Sequence, residues 1–343
     1  MWTYTRRAAL FCLGVTAMGC GDPVTQPSDS SEPVPSSPTL TTTLTGTWRL
    51  MPYLVPARAG LAASVSDKSI VVIGGWVVGK VLSRVDAYDV ETRTWRRLRS
   101  LPEPRWVSGA TTINGKIYVA GGLSAVEDPS DPRYGQTLIH KSLFVYDPGA
   151  DTWARKADMP RAGLTLQAAV RGRLYAYVDG TFLAYSPGID KWVRLQPPPT
   201  RHDFGVMAAT GGKVYLTSGL TQATVNPYNK EMDVYDPATG AWTVKSPMRL
   251  ASGFMTATPI HGKVWLTSGP SEFVTTPEGQ HYLSNRDVQV YDPETDQWTD
   301  GPLMLKDSGY GTSVYVGGRL YVLGGVDMEG RVIGVVQALS SSW

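Results

Sequence analysis

Residues 108–156 read SGATTINGKIYVAGGLSAVEDPSDPRYGQTLIHKSLFVYDPGADTWARK. Four short runs, 108–113, 116–120, 143–146 and 153–156, are each bounded by turn chemistry. Asn114-Gly115 joins the first two; both residues accept positive φ, which a two-residue hairpin requires. Asp147-Pro148 opens a Pro-initiated turn that leads into Trp153. The stretch therefore encodes one antiparallel sheet of four strands, and the 24 residues from Gly122 to Tyr146 leave room for a long excursion between the second and third.

The same markers recur along the chain. Tyr88, Tyr146, Tyr185, Tyr235 and Tyr291 each precede a Trp by seven residues: Trp95, Trp153, Trp192, Trp242 and Trp298. Trp48 and Trp343 extend the ladder, and intervals between successive Trp are 47, 58, 39, 50, 56 and 45 residues. Between them fall Gly74-Gly75, Gly121-Gly122, Asp179-Gly180, Ser218-Gly219, Ser268-Gly269 and Gly324-Gly325. Hairpin signals repeat at Arg171-Gly172, Gly211-Gly212, His261-Gly262 and Gly317-Gly318. No stretch sustains a 3.6-residue period, so no substantial helix is expected.

A period near 50 residues that carries a Gly pair, a Tyr and a Trp resembles the kelch repeat, over residues 44–343. The resemblance implies an all-β, six-bladed propeller of four-stranded blades. After Gly325 only one more strand follows, so repeat six lacks an outer strand. The segment Thr45-Gly46-Thr47-Trp48-Arg49-Leu50 reads as an outer strand with no repeat in front of it, and should close the last blade. Kelch propellers include oxidases, sugar epimerases and many protein-binding modules, so the resemblance specifies fold far better than activity.

Residues 1–19 read as a bacterial export signal: Arg6 and Arg7 precede an apolar stretch, 8–18, too short to span a bilayer permanently. Ala17-Met18-Gly19-Cys20 resembles a lipobox, which implies diacylglycerol and palmitate on Cys20. Residues 20–43 form a Pro/Ser/Thr-rich linker, too poor in large apolar side chains to fold. The expected location is the bacterial cell envelope, with membrane contact only through the lipid anchor. Without residues 1–19 the chain has 30 basic and 30 acidic residues. A general nucleic-acid partner is excluded by that balance. The only cysteines are Cys12 and Cys20, so the repeats hold neither a disulfide nor a thiol nucleophile. The four His stand at no metal-ligand spacing, and no cofactor is expected.

Connections between blades (d–a) and between second and third strands (b–c) share one face. The b–c loops vary most in length, which places function there. Each first strand opens with a cation: Arg58, Arg105, Arg161, Arg201, Arg249 and Lys306. Six-fold placement should bring these to the channel mouth, where guanidinium forks suit carboxylate or sulfate. Trp76 and Trp106 lie outside the ladder and should sit beside them as a platform for a sugar ring or a partner side chain. His202, Asp203 and Asp307 are the acid–base candidates closest to the mouth. Glu127, Asp128, Asp131, Glu272, Glu278 and His281 occupy the long loops, while His140 and His261 read as structural. No full catalytic set is visible, so the favoured function is a monomeric binding module for a protein or an anionic carbohydrate. The alternative is a sugar-active enzyme resembling the sialic-acid epimerases, with an Arg holding the carboxylate.

Overall fold

The computed structural model describes residues 44–340, except 107, 221–227, 251, 268, 277–278 and 285, and, within 270–285, the backbone but not the side chains. The export signal over 1–19, Cys20, the linker over 20–43 and Trp343 lie outside the described residues, as do the side chains of Glu272, Glu278 and His281.

Six antiparallel sheets of four strands succeed one another along the chain. Blade 1 is Ala62–Ser66, Ser69–Ile73, Val85–Asp89 and Thr94–Arg97, paired in that order. The first strands of blades 2 to 6 are Gly109–Ile113, Leu166–Val170, Val206–Thr210, Thr256–Ile260 and Thr312–Val316. Each first strand meets those of its two neighbours, and the sixth meets the first, so the six blades form a closed ring around a channel. The only helix among the described residues is the 3-10 turn Pro187–Ile189.

Burial explains the strand types. The second strands are near-continuous apolar runs, Ile70-Val71-Val72-Ile73 in blade 1, because both of their faces pack against neighbouring blades. The fourth strands lie at the rim and keep alternating exposed residues. At Asn114-Gly115 both φ values are positive, 49° and 73°, as the two-residue turn demands.

The seven-residue Tyr-to-Trp spacing makes the two rings directly opposed cross-strand partners, as in Tyr146↔Trp153 and Tyr291↔Trp298. Their centroids lie 4.9–5.1 Å apart in five blades. Each ladder Trp then donates its indole N–H to a carbonyl just past the preceding blade: Trp95 to Pro52, Trp153 to Arg99, Trp192 to Ala157, Trp242 to Gln196 and Trp298 to Ser246. Blade 6 takes its ladder residue from the other end of the chain. Thr47–Met51 pairs with Val336–Ser340, with Trp48 opposite Leu339, and Trp48 donates to Pro302.

Removing residues 44–54 should expose Val336–Ser340 as an unpaired edge and delete the sixth indole bond. The expected outcome is aggregation and a markedly lower melting temperature. An unchanged melting temperature would show that the amino-terminal strand does not close the ring.

Candidate functional site

The d–a and b–c segments meet on one face. Isolated bridges join Ala59 to Trp76, Trp106 to Leu123, Asp203 to Leu220 and Gly309 to Val326, each linking the start of a blade to its own b–c loop. Three b–c loops fold into two-stranded ribbons: Trp76–Val77 with Lys80–Val81, Leu123–Ala125 with Thr137–Ile139, and Pro270–Thr276 with Gly279–Ser284. Blade 3, with the shortest b–c loop, makes only the tight turn at Asp179-Gly180.

The six opening cations do not form one ring. What decides their fate is the residue two before the blade's Tyr on the third strand: Asp86, Phe144, Leu183, Asp233 and Gln289, with Gln337 in the matching place of blade 6. This position lies under the incoming d–a segment. In blade 1 it is Asp86, which accepts from Arg58 at 2.7 Å and from Arg84 at 2.8 Å. Arg58 is fully buried, and burial lowers its pKa while the charge and hydrogen bond of Asp86 oppose the shift. In blade 2 it is Phe144, and the Arg105 guanidinium lies 5.8 Å from the ring centroid. Arg105 is buried and bonded to Glu103, Ser142 and the Pro104 carbonyl. These two cations, expected at the mouth, are internal ties.

In blade 3 the position is Leu183, which offers no acceptor, and Arg161 turns to Asp179. In blade 4 Asp233 is taken by the neighbour of the cation: His202 is fully buried, with Nε2 3.0 Å from Asp233 and Nδ1 3.1 Å from the Ser218 carbonyl. His202 is thus a core residue, not an acid–base group at the mouth. Arg201 is displaced outward and bridges Asp179 at 2.8 Å and Asp203 at 2.6 Å. Asp203 also accepts from Tyr177 at 3.2 Å. Gln289 and Gln337 accept the backbone N–H groups of Arg249 and Lys306 instead. The Arg249 side chain then reaches Asp300, and the Lys306 side chain is exposed and makes no ion pair among the described residues. Asp307 accepts from the Met328 backbone at 2.7 Å and so fastens the blade 6 loop.

Glu127 accepts from the Val81 backbone at 2.8 Å and ties the blade 2 loop to the blade 1 ribbon, while Asp128 and Asp131 stabilise turns within the blade 2 loop. His140 sits behind Arg105, with Nε2 2.6 Å from Ser124. Burial, reinforced by the Arg105 charge and opposed by Glu103, pushes its pKa down to about 4.

Trp76 and Trp106 do come together. Both lean over Gly60, within 3.2 Å of where a Cβ would stand on it. The rest of the mouth is aromatic in a way the sequence reading missed. Phe204 and Phe254 have ring centroids 5.0 Å apart, and Phe254 stacks on Tyr310 at 4.2 Å. These residues follow the opening cations at slightly different spacings, which hid their equivalence; the recurrence of a large ring just before each inner strand of blades 4 to 6 is the signal that would have found them. Behind the mouth the channel holds about 460 Å³, lined by small residues such as Ala63, Ala110, Ala169, Ala209 and Ala257, with no charged side chain among the described residues.

A kelch-motif family model matches residues 57–102 and 108–160. Beta-scruin of Limulus polyphemus is 26% identical over 204 residues, covering 55% of this chain and 22% of the relative. Kelch-like protein 36 of Mus musculus is 25% identical over 294 residues, covering 81% of this chain and 46% of the relative. The chain thus spans less than half the length of either relative. The solved structure titled "Structure of YjhT" superposes with a TM-score of 0.72 at 14% identity, covering 85% of this chain and 97% of that one. That likeness is one of fold.

Two measurements check these assignments. Arg58→Met leaves the buried Asp86 with Arg84 as its one remaining guanidinium partner and should cost on the order of 2 kcal/mol. Arg201→Met, at a solvated ion pair, should stay within about 1 kcal/mol. Equal losses in denaturant unfolding would contradict the burial difference. The second concerns His140, whose folded pKa is depressed below its ordinary 6.5. The unfolded chain then binds the proton first, so stability falls as pH drops from about 6.5 towards about 4. His140→Gln should show a smaller loss of melting temperature between pH 6.5 and pH 5 than the native chain; an identical loss would remove His140 from the account.

Proposed function

We propose that this kelch-repeat propeller is a protein-interaction module whose partner meets the d–a/b–c face, and that a lipid anchor on Cys20 holds it at the bacterial cell envelope. The observation that carries the reading is the concentration of contact surface on that one face. The ribbon tip at Val78, the blade 2 loop at Tyr134 and the blade 6 loop at Met328 are exposed apolar residues there. They surround an aromatic mouth on a backbone held rigidly by the blades. Variable loops on a fixed scaffold are the usual seat of recognition, and exposed large apolar side chains clustered on one face fit a protein partner.

Arg161, Arg201, Arg249 and Lys306 lie outside the buried ties and are proposed as rim contacts, with Trp76 and Trp106 beside them. Arg161, Arg201 and Arg249 are already paired with carboxylates, which weakens the case for an anionic carbohydrate. The sugar-active alternative has less support still: His202 is buried, and Asp203 and Asp307 are engaged in structural bonds.

The test is cross-linking capture from envelope membranes of the native cells, using the full chain. Val78→Asp combined with Met328→Asp should cut partner recovery at least tenfold at unchanged melting temperature, whereas Lys116→Glu on the opposite face should have no effect. The reverse pattern would move the interface to the other face. In the same fractions, Cys20→Ser should release the protein from the membrane; continued membrane association would dismiss the anchor.

A further inference from the structure

We propose that the channel mouth is an anchor pocket for one uncharged, apolar side chain of the protein partner; this rests on the d–a/b–c face being the partner-binding face. The argument begins with backbone geometry. Gly60, Phe204, Phe254 and Tyr310 stand at the entrances to inner strands, and all four have left-handed φ, at 59°, 60°, 52° and 56°. The conformation has a structural use, since it joins neighbouring blades: Phe254 N–H donates to the Phe204 carbonyl at 3.1 Å, and Gly60 N–H donates to the Tyr310 carbonyl at 2.8 Å.

That use requires no side chain, as Gly60 demonstrates. Glycine adopts this region freely, whereas a bulky L-residue there is strained. Three aromatic residues are held where glycine would be the relaxed choice. The other described non-glycine residues with left-handed φ are Asp, Asn, Arg, Ser or His; Phe204, Phe254 and Tyr310 all stand at this one opening, which points to a function of the side chains themselves. In blade 1, where glycine does occupy the place, Trp76 and Trp106 cover it with their own rings. Aromatic surface is thus supplied in blades 4, 5 and 6 by one residue each and in blades 1 and 2 by the two Trp.

Phe204, Phe254 and Tyr310 border a cavity of about 120 Å³, together with Leu61, Leu164 and Met255. That is room for a single large side chain, and the cavity shares Leu61, Ser108 and Met255 with the channel behind it. Among the described residues no charged side chain lines it. At its rim the cations are matched by acids: Arg161 and Arg201 with Asp179 and Asp203, and Arg249 with Asp300. A charged anchor would surrender its hydration inside the cavity, because Lys306, the opening cation with no ion pair among the described residues, is exposed and is not part of the lining. A sugar ring would bring several hydroxyls to a border whose only side-chain hydroxyls among the described residues, besides that of Tyr310, are those of Ser108 and Thr165. An apolar side chain needs only the ring faces, and a central aromatic pocket filled by one residue is the usual form of an interface hot spot.

The experiment selects a random-peptide phage library on the full chain and measures the affinity of the selected peptides by calorimetry. Selected peptides should share one uncharged apolar residue whose replacement by Ala weakens binding at least tenfold. Phe254→Gly and Tyr310→Gly should each weaken the same peptides at least tenfold while the melting temperature stays level or rises, because glycine relaxes the backbone. A large fall in melting temperature with binding intact would assign the rings to packing and overturn the pocket. Peptides that share an acidic residue and depend on Arg201 or Lys306 would overturn the apolar anchor but leave the protein-interaction reading standing. Binding of neutral oligosaccharides in place of peptides, or peptides indifferent to every substitution on this face, would overturn both.

Discussion

Six indole N–H groups, each donating to a carbonyl just beyond the preceding blade, are the interaction on which the rest of this structure depends. A single such bond contributes only about 1 kcal/mol net. Its importance is positional. The Trp is fixed within its blade by the cross-strand Tyr, and its hydrogen bond fixes the blade against its neighbour. In blades 2, 3 and 5 the Tyr hydroxyl donates to an Asp five residues on, and that Asp accepts a backbone N–H from the preceding blade. Blade 6, assembled from both ends of the described chain, obeys the same rule through Trp48. The ring therefore closes with the same contact it uses everywhere else.

Within that frame, one position on the third strand controls the functional face. Where it is Asp86 it draws Arg58 inward, and where it is Phe144 it lies under the Arg105 guanidinium. Where it is Gln289 or Gln337, the amide grips the incoming backbone and leaves the cation to the surface. Asp233 selects His202 over Arg201 and sends the arginine to the rim. Equivalent cations consequently differ in burial from none exposed to nearly half exposed. The face that results is nearly neutral, aromatic at its centre and irregular at its edge, which suits shape recognition more than electrostatic capture.

The repeat itself was legible residue by residue. The Tyr–Trp spacing, the Asn114-Gly115 type of hairpin and the Gly pairs each have a local physical cause, and together they specify six four-stranded sheets. The surplus strand around Trp48 could be matched to the deficient sixth repeat because strand complement is a counting constraint. The pairing of d–a with b–c connections on one face followed from antiparallel order alone.

The site was less legible, and the reason is physical. Sequence places Arg58, Arg105, Arg161, Arg201, Arg249 and Lys306 at one point of the repeat, but direction of a side chain depends on what lies beneath it, and that residue is 22 to 40 positions away. Arg58 and Asp86 meet only once the first and third strands share a sheet. Phe204, Phe254 and Tyr310 look unremarkable in the sequence because nothing local demands left-handed φ of an aromatic residue; the closing ring imposes it. The sequence by itself determined the strands, their number and the face where loops gather, since those follow from local turn chemistry and periodicity. Only the tertiary structure decided which cations are buried and which rings surround the channel, because both are set by contacts between residues that the folding of each blade, and the closure of all six, bring together.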